Sequence, residues 1–432
     1  MLAFLGFATI VVLLLLIMTK RMSTILALIL VPTVMATLGG FGLKTGTFII
    51  NGIKNISPTG TMFIFAVLFF GVLMDAGTFD PIINGLLGAV GRQPARVVVA
   101  SAVLAMLIHL DGSGVVTFSI AIPALLPLYE EMNLDKRVLA CVVALAAGTM
   151  NIVPWGGPTV RAATALNAPI TQVYNPMIVP QVAGLIFVLI VAYVLGKREA
   201  KRLGVQTVQG SEPVKRTLTP EEQKLRRPGL FWVNVAITIV ALVVLITGWL
   251  APTVVFMLAF AVALMVNYPS PKAQGERINA HAKSALLMAS VLFAAGAFTG
   301  ILKDSKMLEA MSKAAVAIVP RSMGGHLPVL IGLLAVPLSL LFDPDSYYFG
   351  VMPVLASAAE GFGVSGVQVA RASIMGQMTV GFPISPLTPA TLLLVGLVGL
   401  DLGDHQRFTF PLAWLTSVVM VLVALIIGVL PL

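Results

Sequence analysis

Charge is what this chain has least of. Only 10% of its 432 residues are Asp, Glu, Lys or Arg, whereas 58% are hydrophobic and the mean hydropathy is +1.00. A soluble domain cannot cover its surface with so few ionised groups, so the composition is that of a polytopic membrane protein. Cysteine is reduced to Cys141, which excludes an intramolecular disulfide and, within an apolar run, reads as a packing residue. Metalloprotease, phosphate-loop and serine-elbow motifs are missing. His109 near Asp111 is the one acid–base pair suited to chemistry at bilayer depth, and no nucleophile accompanies it. An enzyme is therefore not expected. No ring-forming filter motif supports a channel. The first apolar run, residues 2–18, has no basic region before it and no small-residue cleavage site after it, so it reads as a retained span.

The charge that is present is grouped. The net +9 owes much to residues 197–229, which hold Lys197, Arg198, Lys201, Arg202, Lys215, Arg216, Lys224, Arg226 and Arg227. In a membrane protein such a run marks a cytoplasmic loop rather than a nucleic-acid site, and no nucleic-acid partner is expected. At about 20 residues per crossing, the apolar runs allow about 11 to 13 transmembrane segments, some of them broken. The fold class is therefore all-α and polytopic. Residues 24–43 read as a second span, Lys44–Pro58 as a polar turn region, and 59–74 as the next apolar run.

The organising stretch is Leu341-Phe342-Asp343-Pro344-Asp345-Ser346-Tyr347-Tyr348-Phe349-Gly350. Pro344 lacks a donor and disfavours an α conformation at Asp343, so a helix must break there. Hydrocarbon satisfies neither the freed backbone nor two carboxylates, so the break must face protein, water or a solute. The first half has a counterpart in His109-Leu110-Asp111-Gly112-Ser113-Gly114, and further landmarks recur in order. Gly71 to Asp75 and Asp80 answers Gly300 to Asp304 and Glu309; Pro123 answers Pro353, and Glu130 answers Glu360. Pro154-Trp-Gly-Gly-Pro-Thr159 answers Pro383-Ile-Ser-Pro-Leu-Thr388. The pattern indicates duplication, with residues 1–196 as a first membrane half (repeat from about 59) and 230–432 as a second (repeat from about 284). The basic distribution sets the repeats in inverted orientation. The interruptions at 154–166 and 383–394 read as re-entrant hairpins or unwound helices.

These breaks place donors for an anion. Half-helix N-termini at Gly156 and Gly157 offer backbone N–H groups; Asn151, Thr159, Gln377, Ser385 and Thr388 add side-chain partners, and Arg161 can grip a carboxylate. Arg371 is more simply a snorkelling residue. Asp111, Ser113, Asp343 and Asp345 form the metal- or proton-binding set, with helix capping as the alternative duty of the aspartates. Asp75, Asp80, Asp304 and Glu309 read as caps at membrane edges, while His109, Tyr347 and Tyr348 read more readily as structural than as site residues.

With these residues in place, the chain resembles the citrate–metal:proton symporter family (CitMHS) of bacterial secondary transporters nearly end to end. The likeness runs through Ile17-Met-Thr-Lys-Arg21, Gly71 to Pro81, Leu110-Asp-Gly and Asn151-Ile-Val-Pro-Trp-Gly-Gly-Pro-Thr159. It continues through Phe342 to Gly350, Val369-Ala-Arg-Ala-Ser373 and the closing Gly399-Leu-Asp-Leu-Gly-Asp-His-Gln-Arg-Phe408. The resemblance implies proton-coupled uptake of citrate complexed with a divalent cation of the Mg or Ca type, on the inverted-repeat fold of the ion transporter superfamily. It implies a multi-pass protein of the bacterial inner membrane whose partners are the carboxylate–metal complex and the lipid bilayer. No tightly bound cofactor is expected, since the cation travels with the substrate, and a homodimer is left open. One departure stands out. The family pattern has Asp-Gly-Asp-Gly followed by threonines where this chain has Asp111-Gly112-Ser113-Gly114-Val115-Val116. The alternative is a symporter of a free di- or tricarboxylate, or another organic acid, driven by H+ or Na+.

Overall fold

A computed structural model describes residues 1–81, 85, 93–204, 220–318 and 324–431. Seven helices are long and apolar enough to cross a membrane, five shorter apolar helices accompany them, and no strand occurs among the described residues. The protein is an all-α polytopic membrane protein. The first half runs through α1 (Leu2–Met18), α2 (Thr24–Leu38), α3 (Lys44–Asp75), α4 (Pro94–Ile108), α5 (Gly114–Glu131), α6 (Lys136–Met150), α7 (Gly157–Leu166) and α8 (Ile178–Arg202). Then come α9 (Phe231–Thr247), α10 (Pro252–Asn267), α11 (Pro271–Asp304), α12 (Met307–Ile318), α13 (Leu327–Leu338), α14 (Met352–Gly361), α15 (Gly366–Ile374), α16 (Pro389–Val398) and α17 (Leu402–Ile426). Local chemistry sets many of the starts. Pro94, Pro252, Pro271 and Pro389 occupy first turns, where the missing N–H has no intrahelical partner to lose. Asp135, Ser270 and Asp401 accept a backbone N–H as caps.

The helix pair α3 and α11 is the spine of the molecule, and it corrects one expectation. Residues 44–58 are not a turn region: α3 is continuous over 32 residues, with Pro58 inside it. Their polarity is absorbed by the partner helix, since Asn51 donates to Asp304 Oδ2 at 2.9 Å. Glycine lets the backbones touch: a Cβ on Gly52 would lie 2.0 Å from the Gly296 carbonyl oxygen. Gly52 also meets Gly300, whereas Gly71 meets His281, so the pair is antiparallel.

Two hairpins and two broken crossings complete the centre. Helices α4 and α5 fold back on each other, bringing Ser101 Oγ to 3.2 Å from Tyr129 Oη, with a tip at His109–Ser113. Gly112 makes that turn at φ 75°. The second hairpin joins α13 to a π-helical turn, Ser346–Val351, and α14; Gly324 before α13 packs on the Phe362 ring after α14. The crossings α6–α7 and α15–α16 are unwound over residues 151–156 and 375–388. Each interruption begins before the segment expected from sequence and overlaps only its first part, because Pro158 and Pro389 lie in the first turns of helices instead of ending them. Of the basic run 197–229, residues 197–202 are helical as the end of α8, while Lys215 and Arg216 lie outside the described residues.

Candidate functional site

The hairpin tips insert between the unwound crossings. On the first tip, the Trp155 indole donates to the Leu110 carbonyl at 2.8 Å, and Gly114 leaves room for the Phe382 ring. Asp111 Oδ1 accepts the Ser113 N–H at 2.8 Å, and Ser113 Oγ accepts the Val116 N–H at 3.3 Å, so Ser113 caps α5. His109 is buried, bonded through Nδ1 to Thr117 at 2.7 Å and stacked on Phe382.

The second tip is more heavily tied. Asp343 Oδ1 accepts the N–H groups of Asp345 and Ser346 at 3.0 and 3.1 Å, and its Oδ2 accepts the Ser346 hydroxyl at 2.5 Å. This carboxylate therefore caps the helix that begins at Pro344. Asp345 turns the other way and meets Arg161 of α7, Oδ1 to Nε at 2.7 Å. Ser339 joins the tip to Gln377, donates to the Gly376 carbonyl and accepts the Met378 N–H at 2.9 Å. Tyr347 and Tyr348 are fully buried, donating or bonding to Ser373 and to the Gln377 carbonyl. The two crossings touch directly: Asn151 Nδ2 donates to the Met378 carbonyl at 3.0 Å, and Gly148 packs on the backbone of Val380.

Between these parts lies a cavity of about 450 Å³. Its lining brings together six of the residues singled out from sequence: Asp111, Ser113, Asn151, Gly157, Arg161 and Thr388. Both signs of charge thus face one space. The other candidates stand outside its lining. Gly156 packs on the Asn151 carbonyl, and Thr159 is fully buried with no partner for its hydroxyl. Gln377 is bonded to Ser339, and Ser385 donates to the Ser339 carbonyl at 2.5 Å. Asp343 serves its own cap and Asp345 its arginine. Thr388 lines the cavity but gives its hydroxyl to the Phe382 carbonyl at 2.8 Å.

Sequence reasoning missed the α3–α11 wall, where Phe63, Phe70, Met74, His281, Ser284 and Met288 line the same cavity. Their spacing reveals nothing alone; only the register of Gly71 against His281 shows the pairing. Asp75 and Asp304 are cross-helix partners rather than caps: Asp75 holds Arg277 and His281, and Asp304 holds Asn51. Asp80 pairs with Arg226, Glu309 pairs with Lys313 on an exposed face, and Arg371 donates to the Gln172 carbonyl. A second cavity, of about 260 Å³, lies further along α3 and α11 and is lined by Gly52, Asn167, Lys303, Asp304 and Glu360. Helix α7 runs between the two: Gly157 and Arg161 face the first cavity, and Thr164 to Asn167 face the second. Among the described residues, no group of three His, Cys, Asp or Glu side chains could hold a metal ion.

The family model CitMHS, described as citrate transporter, matches residues 13–376. Two proteins of Bacillus subtilis (strain 168) align over 99% of this chain and 99% of their own. One is a citrate transporter, 45% identical over 429 residues; the other is a Mg(2+)/citrate complex secondary transporter, 42% identical over 429 residues. Among solved structures, the YdaH transporter of Alcanivorax borkumensis superposes with a TM-score of 0.61 at 16% identity, over 87% of this chain and 86% of its own. Neisseria gonorrhoeae MtrF, described with a class of antimetabolite efflux pumps, gives 0.59 at 13% identity, over 88% and 83%. At such identities the likeness is one of fold.

Proposed function

Because this chain belongs to the CitMHS citrate transporter family, whose members are membrane transporters rather than enzymes, we propose that it takes up citrate as a complex with a divalent metal ion, coupled to protons. The observation that carries the reading is the cavity lined by both the Asp111 carboxylate and the Arg161 guanidinium. A free trianion would need several cations to offset its desolvation, and the lining offers few. A monoanionic metal complex presents both signs, so its carboxylates face Arg161, Asn151, Thr388 and the α7 N-terminus while its metal faces Asp111 and Ser113. A hard cation of the Mg type takes about six oxygens, so citrate and water supply most of them.

Asp345 is the coupling site in this scheme. Ionised, it holds Arg161; protonated, it releases the guanidinium to the carboxylate of the solute. Thr159 and Gln377 each keep a buried polar atom without a partner, available to the solute when the crossings part. Asp343 and Ser385 hold the second tip in place for that exchange. The antiparallel α3–α11 pair and the paired hairpins support two inverted repeats, in residues 1–196 and 230–432, that rock about the site. The location is a bacterial cytoplasmic membrane. Ser113, neutral where the family pattern has Asp, is the observation that favours the alternative, a free di- or tricarboxylate. Radiolabelled citrate uptake in a transporter-deficient host decides between them. Uptake that requires a divalent metal and stops in excess EDTA supports the complex; uptake undiminished in EDTA supports the free acid.

A further inference from the structure

One wall of the cavity carries a titratable residue that the scheme above leaves unused. His281 of α11 lines the cavity, and its ring covers Gly71 of α3. A Cβ on Gly71 would come within 2.6 Å of the ring Cγ, so only glycine opens this slot. One turn along α3, Asp75 Oδ2 meets His281 Nε2 at 2.9 Å and Arg277 Nη1 at 3.0 Å. Asp75 thereby fixes the ring from one side, while Nδ1 has no hydrogen-bond partner among the described residues.

The surrounding charges are few. On α3 only Asp75 reaches the ring, and on α11 Arg277 shares that carboxylate. Behind them, Arg226 donates to the Met74 and Asp75 carbonyls at 2.7 and 3.0 Å and pairs with Asp80. Arg227 and Arg277 lie over the Tyr268 ring at 4.9 and 6.0 Å. The α2 helix brings no charged residue, and α12 brings Glu309 and Lys313, which pair with each other. Asp111 and Arg161 line the same cavity.

We propose that His281 is a second anion-recognition residue at this cavity, binding a carboxylate of the solute through Nδ1–H when the ring is protonated, with Asp75 as its positioning residue. The proposal rests on the carboxylate-carrier reading and adds to it a residue of the α3–α11 wall beside Arg161 of α7 in the lining. With Asp75 accepting from Nε2–H, a neutral ring turns only a lone pair toward an anion. Protonation turns the same nitrogen into a charged donor, so affinity follows the charge of the ring. The proton comes from solution through the cavity and no other bond changes.

The test uses the full chain in proteoliposomes, with the KM for magnesium–citrate measured between about pH 5.5 and 8. Titration of citrate itself is common to every variant and cancels in the comparison. The wild type is expected to lose about tenfold in affinity across that range beyond the change seen in His281→Gln, the worth of one hydrogen bond to a charged group. His281→Gln keeps the high KM throughout; His281→Lys, always charged, keeps the low KM throughout. A His281→Gln variant with wild-type KM at every pH overturns the proposal. If the wild type moves no magnesium–citrate, the functional reading fails separately, and the inference is read from thermal stabilisation of the purified chain by metal-free citrate. Stabilisation that is stronger at low pH in the wild type than in His281→Gln sustains it; its absence, or an identical response in the two, rejects it.

Discussion

Breaking the Arg161–Asp345 pair should harm the protein in two separable ways. The Nε–Oδ1 distance is 2.7 Å, and the side chains are only 9% and 15% exposed. At an effective dielectric constant of about 20, that separation corresponds to roughly 6 kcal/mol of gross attraction, part of which desolvation cancels. Removing one partner leaves the other charge buried and unpaired, at a cost of about 3 kcal/mol or more. Arg161→Gln and Asp345→Asn are therefore each expected to destabilise the fold. The double variant leaves no orphaned charge and should be less unstable than the sum of the two. Equilibrium unfolding in mixed micelles of mild detergent and SDS, run on all four chains, should give a coupling of about 2 kcal/mol. Uptake should not follow stability: the double variant regains its fold yet stays inactive, because the solute has lost Arg161 and the proton has lost Asp345. A coupling below about 0.5 kcal/mol would refute the buried pair, and a stable double variant with wild-type uptake would refute its role in transport.

Further outcomes follow from single contacts. Gly52→Ala should cost about 3 kcal/mol or prevent insertion, because its Cβ meets a backbone carbonyl, whereas Gly46→Ala, with nothing within 4 Å, should be neutral or stabilising by thermal denaturation. In a background without Cys141, a cysteine at Thr388 should react with polar thiol reagents and be protected by substrate, while one at the fully buried Thr159 should react far more slowly, only as the crossings part. Labelling at Thr159 as fast as at Thr388 would mean that the unwound crossings open far more widely. Ser113→Asp restores a second carboxylate to the tip and should change the ranking of divalent metals that support citrate uptake; an unchanged ranking removes Ser113 from the metal side of the site.

Both acidic breaks were legible because Pro344, Gly112 and Gly114 interrupt any helix locally, and local rules read them. Which break is a hairpin tip and which an unwound crossing was not legible. That distinction lives in contacts such as Ser101 with Tyr129, 28 residues apart, which no local pattern encodes. The polar stretch 44–58 misled for a related reason: its Asn51 and Gly52 serve a partner helix about 250 residues away, not a loop. Among the candidate residues, Asp111, Asn151 and Arg161 could be found as polar groups beside helix breaks. His281 could not, since it sits within an unbroken helix and gains its meaning from Gly71 and Asp75 on another. The capping alternative for Asp343 describes its hydrogen bonds, whereas Asp345, two residues on, faces Arg161.

Helix α7, which stands between the two cavities, has ten residues. That is about 15 Å of length, half of the roughly 30 Å hydrocarbon thickness of a bilayer. Wherever water fills both cavities, the membrane voltage no longer falls evenly from face to face; it falls across this partition. A unit charge carried past α7 then meets the whole electrical work, about 2.3 kcal/mol per 100 mV, within half the usual distance. Under that condition Arg161 of α7, with Asp345 paired to it, lies inside the steepened field, so a small displacement of either moves a large fraction of a charge through the voltage. The part of this protein proposed to recognise the solute is thus also the part most exposed to the electrical state of the cell.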